Sequence, residues 1–458
     1  MTSKKEIVRL EDTSVMSDFP SLNQLLLKDD KKGLFKHSAV TLGFPTGFLP
    51  LDYRNGYIAK VFNDKDEVVS QYTNIGIFDG TFNTIIGKTG VAKTTLAVQM
   101  AANISRYCLR KFHIPAEIYH IDAERAFDYM RAKVVTNLSI NDLRTIYHIY
   151  KEDTTIEDIQ ERFEEIAVKK EENKKIFKIK TGILDIFGDE IELYVPTIVI
   201  IDSLPSISLR GKKGGKDESE KQEVAKIKEQ AGKKDDMEAN RIAKAISRFY
   251  KQMMGIIKKY NIIVFVINHI NKKIEVGPMP TAPQTMYLKM DEAIPCGFAP
   301  LYYAHNIFKI VLDEKFDTSK KDKGYPFDGF RARIELLKSR SNKAGKFCHL
   351  VYDQEYGFDP YYSLYDYLKN DMDLIGGRNP YRYIKGFEDV KFDDRNFREV
   401  VKENDEVYSA LFSVANVALE QVLSNTKFNS SDSPSPSDIS NIYENLSASY
   451  QNDKSFDN

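Results

Sequence analysis

The residues best suited to do chemistry form the run Gly87-Lys88-Thr89-Gly90-Val91-Ala92-Lys93-Thr94-Thr95. It follows the apolar segment TFNTIIG and precedes a stretch with Leu96, Met100, Ile104 and Cys108 spaced four apart. A strand, a Gly-containing turn and a helix make the setting in which backbone N–H groups form an anion nest at a helix N-terminus. Lys93 would reach the β- and γ-phosphates of a nucleotide, and the Thr94 hydroxyl would hold Mg²⁺. The spacing is that of Gly-x-x-x-x-Gly-Lys-Thr/Ser, except that Ala92 stands at the second glycine. Beside a helix start, alanine is expected to be accepted there without strain.

Three further positions could complete such a site. Asp202 closes the apolar run PTIVIID and is followed by Ser203. A carboxylate there can hold the Mg²⁺ shell, although an Asp ending a strand can equally be a helix cap. Glu124 lies in HIDAERAFD, just after a second strand. It can orient an attacking water, or be one more solvated acid in a turn. His269 follows Asn268 at the end of NIIVFVINH. It can contact a γ-phosphate and report on it to the next loop, or simply serve the structure.

The elements that must hold these residues alternate. Strand-like segments TFNTIIG, AEIYHID, PTIVIID and NIIVFVINH are interleaved with helical patterns, among them Ile242, Ile246, Phe249, Met253 and Ile257. Such alternation predicts an α/β fold with a mostly parallel sheet flanked by helices. RARIELLKS and FCHLVYD follow as further strands. A charged helix at about 151–175 and a hairpin at about 176–195, turning at Gly188-Asp189, form an insertion. Arg210 to Asp236 is almost wholly polar and is expected to be disordered when free.

Composition bounds the remaining options. The chain has 458 residues, 42% hydrophobic and 29% charged, which excludes a collagen-like, disulfide-scaffold or mostly disordered protein. Lys plus Arg number 66 and Asp plus Glu 67, so bulk charge neither announces nor excludes a nucleic-acid partner. The opening MTSKKEIVRLEDTS has no apolar core of a signal peptide, and no apolar run approaches a membrane span. Cys108, Cys296 and Cys348 are far apart and match a reducing compartment, so a cytoplasmic location is expected.

Six segments together resemble the RecA-type recombinases, with wording that leans toward the bacteriophage UvsX-like branch. They are GKTGVAKTT, IDAERAFD, TIVIIDSLPSI, VFVINHINKKI, PCGFAPLYYAHNIFKI and IELLKSRSNKAGKF, covering roughly residues 45–360. The resemblance implies a RecA-like ATPase that uses ATP and Mg²⁺, filaments on single-stranded DNA, pairing with homologous duplex, and service by single-strand-binding and mediator proteins. Residue by residue it implies that Glu124 activates water, that Asp128 lies near the adenine and that His269 stands where bacterial recombinases carry a glutamine sensor. Arg131 takes the position of the base-stacking aromatic, with Tyr129 close by. Lys338 and Arg340 match a basic pair that reaches the ATP of a neighbouring subunit. Residues of about 207–239 and 272–297 match two DNA-binding loops.

In those loops Arg210, Lys212, Lys213, Lys216, Lys272 and Lys273 can meet phosphates, and Met286 and Tyr287 can wedge between or stack on bases. The same lysines could form a solvated surface, and Tyr287 could pack in its own loop. The expected divisions are an N-terminal arm and assembly region over 1–70, an ATPase core over 71–360, a helical region over 361–424 and a disordered acidic tail over 425–458. Two other readings stay open: a ring-forming helicase on the same core, and a RecA-like regulatory ATPase that does not pair DNA.

Overall fold

The computed structural model describes residues 42–424, apart from 64, 66, 152–153, 187, 211–230, 273–284 and 320–324. Most of the expected N-terminal arm, the acidic tail, and Lys212, Lys213, Lys216 and Lys273 lie outside them. A nine-stranded sheet organises the described chain. Its strands are β1 (Phe82–Gly87), β2 (Glu117–Asp122), β3 (Tyr147–Tyr150), β4 (Thr197–Asp202), β5 (Ile262–His269), β6 (Asn306–Phe316), β7 (Gly329–Ser339), β8 (Lys346–Asp353) and β9 (Gly357–Asp359). They lie in the order β9-β8-β7-β6-β1-β5-β4-β2-β3. The six from β6 to β3 run parallel, and β7, β8 and β9 are added antiparallel. The chain is thus α/β with a mostly parallel central sheet.

The strand sequences explain why both faces are covered. In β4, Ile198 and Ile200 point into one core and Val199 and Ile201 into the other, all fully buried. That is the period-two pattern of a strand buried on both sides. Helix α1 (Lys93–Phe112) covers the first face with Leu96, Met100, Ile104 and Cys108. Helices α3 (Ile156–Glu172) and α4 (Ala231–Lys259) cover the second with Phe163, Ile246, Phe249, Met253 and Ile257. Each such side chain contributes about 1.5–3 kcal/mol by leaving water. Between α1 and α3 lies helix α2 (Tyr129–Thr136). Among the described residues no helix is long and apolar enough to cross a membrane.

Three expectations need correction. The stretch 207–239 is not wholly a loop, because α4 already begins at Ala231. Lys, Asp, Met, Glu and Ala are adequate helix formers, and extending a packed helix costs far less than nucleating one. The region 361–424 is not purely helical. Ile375–Arg378, Tyr381–Ile384 and Phe387–Phe392 form a three-stranded antiparallel sheet between the helices Pro360–Asp366 and Asp405–Ser424. Residues 42–70 are not a separate arm either. The helix Leu49–Arg54 buries Leu49 and Tyr53 in one core with Tyr365, Phe397, Leu411 and Leu419.

Candidate functional site

The carboxyl ends of β1, β5, β4 and β2 lie side by side, the edge at which parallel sheets bind ligands. Gly87 pairs with His269, and Asp202 with Asp122. The Gly-containing loop thus opens between β1 and α1, beside the strand end that carries His269 and one strand further from that of Asp202. Burial pushes the Lys93 ammonium below the usual lysine range, while Asp202 and Glu124 pull the other way. Its Nζ donates to the Gly87 and Lys88 carbonyls at 3.1 and 2.8 Å, folded back on the loop that contains Lys88, Thr89, Gly90, Val91 and Ala92. Thr94 opens the helix beside Thr95, and its hydroxyl donates to Asp202 Oδ2 at 2.6 Å.

Ala92 departs from the expectation of an unstrained alanine. It caps α1 with φ 59° and ψ 35°, a left-handed conformation that glycine adopts without penalty. The second glycine of the motif therefore has a conformational reason that alanine does not remove. Ala92→Gly should stabilise the fold by roughly 0.5–1 kcal/mol, since relief of the left-handed strain outweighs glycine's extra chain entropy. Chemical denaturation checks this, and a lower midpoint in the variant would show that the lost methyl packing dominates.

The turn after β2 is built by Asp122, whose two oxygens accept the Ala126 and Phe127 N–H groups at 3.2 and 2.9 Å. The Ala123 N–H donates to the Asp202 carbonyl at 2.7 Å, tying that turn to β4. Glu124 is thereby carried to the same mouth. Its Oε1 accepts the Ser203 hydroxyl at 2.5 Å and lies 2.9 Å from His269 Nε2. The His269 N–H donates to Asn268 Oδ1 at 2.8 Å, and Asn268 Nδ2 to the Pro295 carbonyl at 3.2 Å. Asn271–Lys272 pairs antiparallel with Glu292–Ala293, so the second loop is pinched at a neck directly after His269. Lys93, Thr94, Asp202, Glu124 and His269 are brought together.

Other expected residues fall elsewhere. Asp128 caps α2, accepting the Arg131 N–H at 2.7 Å. The Arg131 guanidinium donates to the Glu355 carbonyl and to Tyr352 Oη, bridging α2 to the turn between β8 and β9. Lys338 pairs with Ile307, which pairs with Thr84, so the Lys338 and Arg340 end of β7 lies toward the sheet edge opposite the Gly87 loop. Lys338 Nζ donates to the Leu301 and Tyr302 carbonyls, and burial together with the nearby Arg340 lowers its pKa to about 8. Within one chain this pair does not join the site. Arg210 is held by Asp158 and Glu161 of α3, and its backbone N–H by Glu157. The backbone of Lys272 lies in the neck. Met286 is exposed, while Tyr287 is half-buried against the cluster of Ile86, Ile270 and Leu288.

Sequence reasoning missed Ser203, the bracing of Glu124 by a hydroxyl, and His120. Ser203 directly follows Asp202, and His120 sits in EIYHID beside Glu117 and Asp122, so neither position stands out by type or spacing in the sequence. The donor set of Thr94 and Asp202 is a hydroxyl and a carboxylate, the hard oxygens that Mg²⁺ takes alongside nucleotide phosphates. Those residues fit the ion. Among the described residues no group of three or more His, Cys, Asp or Glu gathers into a protein-only metal centre. No protein-family model matches the chain, and no curated protein matches it.

Proposed function

We propose that the chain is an ATP-dependent DNA recombinase with a RecA-like core. It assembles as a filament on single-stranded DNA and promotes homologous pairing and strand exchange. The observation that carries the reading is the contact of Glu124 with His269. A carboxylate suited to activating water touches the residue that opens the neck of the second loop. Hydrolysis and loop order can therefore bias one another, an order–disorder coupling.

In this mechanism the loop N–H groups and Lys93 receive the phosphates, and Thr94 and Asp202 would hold Mg²⁺. When bound, Mg²⁺ held by these residues would supply positive charge against that developing on the transferred phosphate. Glu124 accepts a proton from the attacking water, with Ser203 and His269 fixing its orientation. Lys338 and Arg340, facing away from their own nucleotide loop, complete the site of a neighbouring copy. Activity then depends on assembly. The DNA contacts proposed for Arg210, Lys272, Met286 and Tyr287 follow from their position next to the two loops. Arg210 would have to exchange its carboxylate partners for phosphate.

Electron microscopy of the protein with single-stranded DNA and a slowly hydrolysed ATP analogue tests the proposal. Continuous helical filaments are expected, lost in Lys93→Ala. Closed rings would favour the helicase reading, and nucleotide binding without assembly the regulatory one.

A further inference from the structure

Among the described residues, two buried side-chain atoms at the site lack a hydrogen-bond partner, His269 Nδ1 and His120 Nε2, and the second lies on a residue with no assigned task. His120, on β2, is fully buried. Its Nδ1 lies 2.9 Å from Tyr147 Oη, and its ring packs 5.1 Å from that of Phe127. Its Nε2 has no hydrogen-bond partner among the described residues and stands 3.7 Å from Asp202 Oδ2. That oxygen is occupied instead by the Thr94 hydroxyl. The facing carboxylate favours the tautomer with its proton on Nε2, so that the Tyr147 hydroxyl donates to Nδ1. Both edges of the ring are then oriented, with a donor aimed at Asp202 and just short of it.

A buried donor without an acceptor is costly, and such an arrangement suits a second state in which the bond forms. The Thr94 hydroxyl is the group that must leave Asp202 to serve a divalent cation. We infer that His120 is a positioning residue for that state. It donates Nε2–H to Asp202 once Thr94 turns to the cation, and so holds the carboxylate in the orientation that retains the ion with the nucleotide. The exchange moves a hydrogen bond without changing the charge of the ring. Partners of this kind commonly alter metal affinity by about 10–100-fold when removed. The inference rests on the nucleotide-site reading.

The test is binding of a fluorescent ATP analogue to the full chain during titration with Mg²⁺. His120→Phe fills the same space without a donor. It should raise the Mg²⁺ concentration for half-maximal binding about 10-fold, with cation-free binding unchanged. His120→Gln keeps an N–H where Nε2 stands and should recover most of the shift. Tyr147→Phe frees the ring from its anchor and should move the midpoint the same way by less, which keeps the test alive if His120→Phe does not fold. Equal midpoints for the wild type and these variants would overturn the role of His120 alone. A wild type that shows no Mg²⁺-dependent binding would bring down the nucleotide-site reading, and this inference with it.

Discussion

Glu124→Gln should bind nucleotide as the wild type does and hydrolyse it about 10²–10⁴-fold more slowly, the range expected when a general base is lost. The substitution is nearly isosteric, and the local bonds persist through it. A glutamine oxygen can still accept the Ser203 hydroxyl that Glu124 Oε1 accepts, and it can still face His269 Nε2. The Gly87–Thr95 loop and the Thr94–Asp202 pair are untouched. What disappears is the capacity to take a proton from water. Because the same residue touches the base of the second loop, slow hydrolysis should also prolong the life of DNA-bound complexes. Phosphate release, nucleotide binding and dissociation from single-stranded DNA, followed in parallel, separate these effects. Wild-type turnover by the variant would remove Glu124 from the role. Turnover lost together with nucleotide binding would point to damage in the turn that Asp122 builds.

The parts of this molecule legible in the sequence are those whose information is local. The Gly87–Thr95 run is contiguous and its strand-to-helix setting is plain, and strands such as Thr197–Asp202 and Ile262–His269 declare burial on both faces by apolar runs. The left-handed backbone at Ala92 is not legible, because the letter alanine carries no φ. His120 is unremarkable until β2 pairs with β4 and brings Asp202 beside it. Arg210 reads as a phosphate contact in a basic stretch. Its partners Asp158 and Glu161 are some fifty residues away in an insertion, and they reach it only because Thr155 bridges Ser208 in the fold. The sheet at 375–392 hid for a different reason. Its strands are short, and Gly376, Gly377 and Gly386 weaken any periodic signal.

The largest stability effect is expected from a pair that carries no catalytic motif. Glu292, in the neck of the second loop, and Lys309, on β6, are both buried, and the Lys309 ammonium donates to both carboxylate oxygens at 2.8 and 2.7 Å. Beside them lies a cavity of about 220 Å³, also lined by Lys88 and Val91 of the Gly87–Thr95 loop, Ile270 and Lys289. Removing one partner leaves the other charge buried and unmatched, which costs about 3–5 kcal/mol, whereas replacing both with apolar side chains is often near neutral. Glu292→Gln and Lys309→Met should therefore each destabilise strongly, and Glu292→Met combined with Lys309→Met should recover most of the loss. Unfolding by denaturant, arranged as a double-mutant cycle, measures the coupling. A Glu292→Gln variant within about 1 kcal/mol of the wild type would show that water or a neighbour compensates the lysine, and that the neck is held by the Asn271–Lys272 ladder instead. If the cycle gives the expected coupling, the double variant becomes the informative protein. Its fold would be intact but its second loop no longer tied by charge to the strand beside the Gly87–Thr95 loop. If the proposed function holds, any loss of DNA-stimulated hydrolysis there would then belong to the tie itself.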